Sequence, residues 1–273
     1  MIQLPQLSHA EIELTQEVEV VDERGRLSAI HIPIERDLTV YVDKRELVTL
    51  MTIGANPELL VLGYLKNQRL IKNVADITSV QVDWEVAAAA VVTRSGIDHI
   101  EQRTAKKIVT TGCGQGTVFG ALMDDLDQIQ LPIKASVKQS VIVSIVDAVR
   151  HHPSVYKKAG SVHACALFSD TGELLQFVED VGRHNAVDAI AGKMWLEEMP
   201  GEDKIFYTTG RLTSEMVIKA AQMGIPILLS RSGTTAMGLQ LAQELGMSLF
   251  TRCSGNHFLL LSHARRLKVD ATP

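Results

Sequence analysis

The sequence contains few cysteines and no obvious metal-binding pattern, and each shortage excludes a class of protein. Its 273 residues include three cysteines, at positions 113, 165 and 253. An odd number at such long separations is no disulfide framework, and it favours a reducing compartment such as the cytoplasm. The chain has neither a C-x-x-C pair nor an H-E-x-x-H motif. The sequence therefore gives no support for a metal site.

Charge and hydropathy exclude further classes. The chain has 27 basic and 32 acidic residues, a net charge of −5, and only 4% aromatic residues. Without a basic arm or stacking aromatic side chains, nucleic-acid binding is not indicated. No apolar run approaches the roughly 20 residues of a membrane span, and residues 1–6 do not resemble a signal peptide. We expect a globular cytoplasmic protein with neither membrane nor nucleic acid as a partner.

Glycine is concentrated around one cysteine. Residues 110–117 read Thr-Thr-Gly-Cys-Gly-Gln-Gly-Thr, so that glycine occupies every second position around Cys113. Glycine permits positive φ angles and close approach of another molecule, whereas a cysteine that only packs needs no such setting. We predict that Cys113 is a reactive thiol on a mobile loop. Cys253 is a rival nucleophile, because the adjacent Arg252 would lower its pKa.

The N-terminal part of the chain is predicted to be a small α+β domain. Residues 10–53 carry strand patterns with a hairpin turn at Asp43-Lys44. Asn56 is predicted to cap the first helix, with Pro57 at its first position. The run of small apolar residues from Val86 to Val92 predicts a strand that is buried on both faces.

A connector near Pro132 is predicted to separate two domains. The smaller domain, residues 1–130, would end in the Cys113 loop, and a larger α/β domain would cover residues 131–273. In the larger domain, Ser136 is predicted to cap a helix. The basic tail around Arg266 is expected to be solvent-exposed.

A strand, a polar glycine-containing loop and a helix follow one another twice near the C-terminus. The first loop contains Gly210 and Arg211, and the second contains Ser232, Gly233 and Thr234. A parallel sheet would place both loops at the carboxyl ends of strands, where helix N-termini and positive side chains hold anions. Ordinary helix capping explains either loop alone equally well. The two loops together favour a phosphate-bearing ligand.

A dense polar cluster precedes the helix that is predicted to begin at residue 186. Residues 179–185 combine two acids, an arginine, His184 and an amide around a single glycine. Asp180 or Asn185 could simply cap the helix. The density of unlike hydrogen-bonding groups nevertheless favours a functional site on a loop held by rigid elements.

Several of these stretches occur in the same order in one known family. They are Gly112-Cys113-Gly114, residues 160–166, the string EDVGRHNAVD at residues 179–188, residues 215–221 and residues 255–258. In these stretches the chain resembles the formate dehydrogenase accessory sulfurtransferases, the FdhD family, from about residue 30 to about residue 267. The EDVGRHNAVD string is the most specific of them.

The resemblance implies both a fold and a function. The fold would be a three-layer, cytidine-deaminase-like α/β core with a smaller N-terminal domain. Such proteins take sulfur from a cysteine desulfurase as a persulfide. They pass it to the molybdenum cofactor, in its bis-guanine-dinucleotide form, before that cofactor enters formate dehydrogenase. The family also implies a homodimer, but not deamination, since the chain has no Pro-Cys-x-x-Cys zinc pattern.

The resemblance also assigns site residues. Cys113 matches the cysteine that carries the persulfide. The family's cofactor-binding turn matches six consecutive residues, Arg252, Cys253, Ser254, Gly255, Asn256 and His257. The pyrophosphate of each GDP-like moiety suits the two glycine loops, and His184 is assigned to the same site.

Gly116 departs from the family pattern. Many members carry C-x-x-C in the active loop, and here Gly116 occupies the second cysteine position. A sulfurtransferase would then work with Cys113 alone. The alternative is a non-catalytic chaperone that binds the molybdenum cofactor and hands it to the apoenzyme. A third hypothesis, a nucleotide-binding regulatory protein, rests only on the two glycine loops.

Overall fold

Two larger β-sheets and two two-stranded sheets form the described part of the protein, together with helices packed between and beside the larger sheets. The structure is a computed structural model that describes residues 4–97 and 129–270. The predicted Cys113 loop lies outside these residues. The strands are β1 (Gln6–Leu7), β2 (Thr15–Val21), β3 (Leu27–Pro33), β4 (Arg36–Val42), β5 (Arg45–Thr52), β6 (Ile77–Asp83), β7 (Ala88–Thr93), β8 (Val137–Lys138), β9 (His163–Phe168), β10 (Leu174–Asp180), β11 (Ile205–Thr208), β12 (Ile227–Ser230), β13 (Ser248–Ser254), β14 (His257–Leu260) and β15 (Leu267–Lys268). The α-helices are α1 (Pro57–Asn67), α2 (Gln139–His151), α3 (Val155–Ala159), α4 (Arg183–Leu196), α5 (Ser214–Gln222) and α6 (Ala236–Glu244). The two-stranded sheets are β2-β3 and β8-β15.

The first sheet has five strands in the order β1-β6-β7-β4-β5. The predicted hairpin turn at Asp43-Lys44 joins β4 to β5, and both residues have positive φ angles, 48° and 70°. Such a pair matches the tight turn that suits the twist of a two-residue hairpin. Asn56 stands at the N-cap position of α1 as predicted, but its side chain makes no capping hydrogen bond.

The prediction of a strand buried on both faces between Val86 and Val92 is wrong. Strand β7 begins at Ala88, and only alternate residues, Ala89 and Val91, are buried. Val86 and Val92 are 69% and 47% exposed. The sheet has one face on the core and the other in water, and alanine on the wet face conceals the alternation that would have revealed this.

The second sheet has six strands in the order β10-β9-β11-β12-β13-β14. Strands β11, β12 and β13 are parallel, as the repeated strand–loop–helix pattern predicts, and the remaining pairs are antiparallel. Helix α2 packs on one face, and α4, α5 and α6 pack on the other. The predicted α/β class and three layers around this sheet are therefore observed. The specific likeness to cytidine deaminases stays a prediction.

Helices α1 and α4 join the two sheets through a close glycine contact. A Cβ atom on Gly63 of α1 would lie 1.6 Å from the carbonyl oxygen of Asp188, and one on Gly192 of α4 would lie 2.0 Å from that of Leu59. Glycine at both positions lets the two backbones touch. One continuous cluster of buried apolar side chains runs from the five-stranded sheet through these helices to the six-stranded sheet. The division at residue 130 stays a prediction.

A buried ion pair joins α4 to α5, and an amide of α1 contacts the same carboxylate. Lys219 of α5 donates to the Asp188 carboxylate at 2.8 Å, and the Asn67 amide of α1 donates to its other oxygen at 2.6 Å. Lys219 and Asp188 have side chains that are 4% and 0% exposed. Removal of either charge alone would destabilise the fold, because a buried charge without a partner is strongly destabilising. The last residue of the EDVGRHNAVD string is thus structural.

Two predictions, about Ser136 and Arg266, are wrong. Helix α2 begins at Gln139 rather than after a Ser136 cap, because Val137 and Lys138 pair with β15. Arg266 is 2% exposed rather than part of a solvated tail. Its guanidinium donates to the carbonyl oxygens of Pro132 and Gly246, which ties the C-terminal tail to the connector.

Candidate functional site

The carboxyl ends of the parallel strands carry the predicted site residues. We call this edge the rim, and it comprises residues 208–215, 230–235 and 252–257, together with His163 and residues 179–184. Strand β9 contributes its beginning and β10 its end, since these two strands are antiparallel and His163 pairs with Asp180. Helices α4, α5 and α6 all begin at the rim. Their first N–H groups have no partner within their own helices.

Backbone hydrogen bonds join the three loops of the rim. Leu212 N–H donates to Gly233 at 2.9 Å, and Arg231 N–H donates to Thr208 at 3.0 Å. Arg252 N–H donates to Ser232 at 2.8 Å, which connects the last loop to the other two. The structure therefore brings together the three sets of residues that the sequence assigned to a cofactor. These are Gly210 and Arg211, then Ser232, Gly233 and Thr234, then Arg252 to His257.

The rim carries three exposed arginines. Arg211, Arg231 and Arg252 follow or end three consecutive parallel strands, and all three are exposed. Within residues 4–97 and 129–270, no carboxylate forms an ion pair with any of them. Positive charge that is not neutralised by the protein, beside helix N-termini, is the ordinary composition of an anion site.

Some hydroxyl groups at the rim have a hydrogen-bond partner within the protein, and one buried hydroxyl group has none. Thr235 caps α6, its oxygen accepting from Gly238 N–H at 3.1 Å, and the Thr234 hydroxyl donates to the Leu212 carbonyl oxygen at 2.8 Å. Thr213 stands at the N-cap position of α5 but its side chain caps nothing. Its hydroxyl oxygen is buried without a hydrogen-bond partner. An orphaned polar atom at a rim that carries three exposed arginines fits a site that is completed by a polar ligand.

The polar cluster at residues 179–185 is largely structural. The Asp180 carboxylate accepts hydrogen bonds from the Thr52 hydroxyl and the Ile53 N–H of the first sheet, and from Gly182 N–H and the Asn185 amide in its own segment. It therefore joins the start of α4 to the end of β5, which lies over 120 residues away in sequence. Glu179 accepts from the first two N–H groups of α3.

His184 is a buried member of this cluster that lies against Glu215, in the first turn of α5. The residue is 8% exposed, and burial, with the charges of Lys219 and Arg183, lowers its pKa to about 2. It is therefore neutral at ordinary pH. Its Nε2 atom lies 3.1 Å from Oε2 of Glu215 but forms no hydrogen bond. Burial and the same arginine also lower the pKa of the half-buried His163.

The structure places Glu215, which the sequence analysis does not single out, at the rim. It lies in the first turn of α5, directly after the first glycine loop, with a side chain that is 18% exposed. Its position one turn after a loop already assigned to a ligand was an available signal. The capping pattern instead favours the hydroxyl residues directly before it, Thr213 and Ser214.

The two cysteines that the structure describes are buried. Cys165 is 0% exposed and Cys253 is 1% exposed. Burial raises the pKa of Cys165 to about 12 and that of Cys253 to about 11. The prediction that Arg252 activates Cys253 is wrong, because successive residues of a strand face opposite ways and Arg252 lies on the exposed side.

Two rim glycines provide a matched pair of mutations. A Cβ atom on Gly210 would lie 2.8 Å from Cδ of the buried Arg183, whereas one on Gly233 would meet nothing within 4 Å. We expect Gly210→Ala to lower the free energy of unfolding by about 1–3 kcal/mol, and Gly233→Ala to change it by less than about 0.5 kcal/mol. Urea denaturation of both variants checks this. Equal losses would contradict the described packing of Arg183 under Gly210.

Within the described ranges, no helix is long and apolar enough to cross a membrane. The same ranges contain no cluster of three or more His, Cys, Asp or Glu side chains that could hold a metal ion.

Comparison with known proteins gives consistent results. The model of the FdhD/NarQ family matches residues 33–268. A protein of Sulfurisphaera tokodaii named sulfur carrier protein FdhD is 32% identical over 84% of this chain and 87% of its own. The protein of the same name from Saccharolobus solfataricus is 31% identical over 92% of this chain and 96% of its own. Among solved structures, a formate dehydrogenase accessory protein of Desulfotalea psychrophila superposes with a TM-score of 0.74, at 25% identity, over 93% of this chain and 98% of its own.

Proposed function

Because the chain belongs to the FdhD/NarQ family, we propose that it is a sulfur carrier that receives a persulfide on Cys113 and delivers the sulfur to the molybdenum cofactor of a formate dehydrogenase. The observation that carries this proposal is the state of the other two thiols. Cys165 and Cys253 are buried with raised pKa values. A persulfide carrier needs an accessible thiolate, so the task falls to Cys113.

The loading step needs no external oxidant. The Cys113 thiolate attacks the outer sulfur of a persulfide on a cysteine desulfurase, forming a new S–S bond. The bond from that sulfur to the desulfurase cysteine breaks, and its electron pair leaves with the desulfurase thiolate. On delivery, the bond between Cys113 and the outer sulfur breaks, and the Cys113 thiolate is restored. The acceptor supplies the electron pair of the new bond to sulfur.

The rim is the proposed binding surface for the acceptor. A molybdenum cofactor in its bis-guanine-dinucleotide form carries pyrophosphates, and these suit Arg211, Arg231 and Arg252 beside the helix N-termini. The orphaned hydroxyl of Thr213 is a further available partner. The cofactor is bound here as the acceptor of sulfur, so the rim residues hold and orient it rather than react.

The proposal includes two protein partners and a self-association. A cysteine desulfurase would supply the sulfur, and a formate dehydrogenase would receive the cofactor. A cytoplasmic homodimer is part of the same proposal and follows from the family resemblance alone. The name of the Desulfotalea psychrophila protein, a formate dehydrogenase accessory protein, supports the second partner.

A non-catalytic chaperone for the molybdenum cofactor is the second candidate function. Gly116, at the position of a second loop cysteine, favours it, since no resolving thiol follows Cys113 in the loop. Such a chaperone would bind cofactor at the rim in the same way but would acquire no sulfur.

Loading by a cysteine desulfurase distinguishes the two functions. After incubation with the desulfurase and free cysteine, we expect the purified chain to gain one sulfur atom that a thiol reductant removes. The Cys113→Ser variant is the matched control and should gain none. Absence of a sulfur adduct on the wild-type chain would favour the chaperone and contradict the carrier.

A further inference from the structure

A cavity of about 230 Å³ lies at the C-terminal end of α4, and we call it the α4 cavity. Its walls come from the last turn of α1, from residues 73–75 and from residues 194, 195, 198 and 199. Helix α4 has 14 residues, so this end lies about 20 Å from the rim, where the helix begins. The cavity is therefore separate from the surface that we propose for the molybdenum cofactor.

The chain reverses at Glu198, beside the cavity. Met199 N–H donates to the Met194 carbonyl oxygen at 2.8 Å. Glu198 N–H donates to the Trp195 carbonyl oxygen at 3.3 Å, and the two bonds together form a Schellman motif. Glu198 has a φ angle of 51°, a conformation in which glycine is the usual residue. The turn itself therefore gives no reason for a glutamate at this position.

Lys66 brings a positive charge to the cavity that the protein does not neutralise. Its side chain is largely buried, and burial lowers its pKa to about 8, so that it is mostly protonated at pH 7. Among residues 4–97 and 129–270, no carboxylate pairs with it and no acceptor takes a hydrogen bond from it. A buried ammonium group without a partner is costly. An anionic group that entered the cavity would offset this cost.

Glu198 brings the opposite charge to the same cavity. It is exposed, and in the described ranges it forms no ion pair with Lys66 or with any other basic residue. The preceding residue differs, because Glu197 pairs with Lys193 at 3.3 Å. The α4 cavity thus carries one positive and one negative group that do not neutralise each other.

Apolar side chains line the cavity between these two groups. Val74 and Met194 are buried, and Trp195 and Met199 are partly buried and pack against the larger apolar core. An apolar part of a ligand would be removed from water against these side chains. The volume is below the roughly 300–1,000 Å³ of pockets that hold drug-sized ligands, so the ligand is smaller than a drug.

A zwitterion is the class of ligand that satisfies both charges. A simple carboxylate would pair with Lys66 but would meet Glu198 as a like charge, and a simple amine would pair with Glu198 but would meet Lys66. A free α-amino acid carries both groups on one carbon atom. Its side chain, if apolar, would lie against the apolar wall.

We propose that the α4 cavity binds a free α-amino acid with an apolar side chain, whose carboxylate accepts from the Lys66 ammonium group and whose own ammonium group donates to Glu198. The proposal goes beyond the sulfur-carrier function, because the cavity shares no residue with the rim. Lys66 contributes most of the affinity, since its charge is withdrawn from water. An exposed ion pair with Glu198 contributes less.

Calorimetry on the full chain at pH 7 with L-leucine and three analogues tests the proposal. The analogue 4-methylpentanoate lacks only the ammonium group, 3-methylbutylamine lacks only the carboxylate, and glycine lacks the side chain. We expect 3-methylbutylamine and glycine to bind at least about tenfold more weakly than leucine, because each loses a buried contact. We expect 4-methylpentanoate to bind about threefold to fivefold more weakly, because it loses only an exposed ion pair.

Two variants assign these losses to residues. Lys66→Met keeps the apolar stem and removes the charge, so the fold should tolerate it, and the affinity for leucine should fall to that for 3-methylbutylamine. In Glu198→Gln the affinity for leucine should fall to that for 4-methylpentanoate. Glu197→Gln is the matched control, because Glu197 pairs with Lys193 and does not line the cavity. It should change the affinity for leucine by less than about twofold.

Three results would overturn the proposal. They are no binding of L-leucine, L-methionine or L-phenylalanine to the wild-type chain, equal affinities for leucine and 3-methylbutylamine, and an unchanged affinity for leucine in Lys66→Met. None of these measurements involves Cys113 or the rim. Failure of this proposal therefore leaves sulfur loading of Cys113 unaffected, and failure of sulfur loading leaves the α4 cavity unaffected.

Discussion

Replacement of Cys113 by serine is expected to leave formate dehydrogenase inactive in cells that lack the wild-type chain. Serine is close to cysteine in size, but its hydroxyl cannot form a persulfide. If Cys113 alone carries the sulfur, formate dehydrogenase activity should fall by at least about 100-fold. Removal of the residue that forms a covalent intermediate is among the substitutions that lower activity most. The measurement is formate oxidation in extracts of cells that express either chain at equal levels.

Cys165→Ser and Cys253→Ala provide the internal comparison. Both thiols are buried, with pKa values near 12 and 11, so neither should be able to replace Cys113. These variants should support formate dehydrogenase in proportion to the amount of folded chain. Substantial activity of Cys113→Ser, or loss of activity in a fully folded Cys253→Ala, would contradict the assignment of the sulfur to Cys113.

The second large effect concerns folding rather than chemistry. Gly63→Ala or Gly192→Ala should lower the free energy of unfolding by more than about 3 kcal/mol. The added methyl group would lie 1.6 Å or 2.0 Å from a backbone carbonyl oxygen of the facing helix, so α1 and α4 would have to separate. The sign is opposite to the usual effect, because alanine ordinarily favours a helix by about 1 kcal/mol over glycine.

Urea denaturation followed by circular dichroism measures this change. Gly233→Ala is the control, since its Cβ atom would meet nothing within 4 Å. The total stability of most domains is about 5–15 kcal/mol, so either helix variant could also fail to accumulate as folded protein. A Gly192→Ala variant as stable as the wild type would show that α1 and α4 are not in backbone contact.

Local patterns in the sequence predicted much of the second sheet. The repeat of strand, glycine loop and helix gave the parallel order of β11, β12 and β13. It also placed Gly210 and Gly233 at one edge, because parallel strands end on the same side. The hairpin at Asp43-Lys44 was predictable for a similar reason, since two residues can close it only in a narrow set of conformations.

Contacts between distant segments account for two of the four wrong predictions, those at Ser136 and Arg266. The sequence allows Asp180 to be a helix cap, whereas two of its four donors, Thr52 and Ile53, come from the end of β5 and the residue after it. The sequence predicts a solvated Arg266 because the acceptors of its guanidinium are backbone carbonyl oxygens, which have no sequence signal. Cys253 is different: strand alternation would have placed it opposite the exposed Arg252 and hence in the core.

The sequence predicted the candidate site as a set of loops and one histidine, His184. The glycine loops and the turn at residues 252–257 are at the rim, as expected, but Glu215 was not recognised. A lone glutamate in a helix has no distinctive sequence pattern. The structure shows that Asp180 and Glu179 accept backbone hydrogen bonds, whereas Glu215 lies against the ring of His184.

The most direct test of the sulfur-carrier account is peptide mass spectrometry of the wild-type chain after reaction with a cysteine desulfurase and cysteine. The account predicts one additional sulfur atom on the peptide that contains Cys113, removable by a thiol reductant, and unmodified peptides at Cys165 and Cys253. An unmodified Cys113 peptide, or an added sulfur on either of the other two peptides, would contradict it.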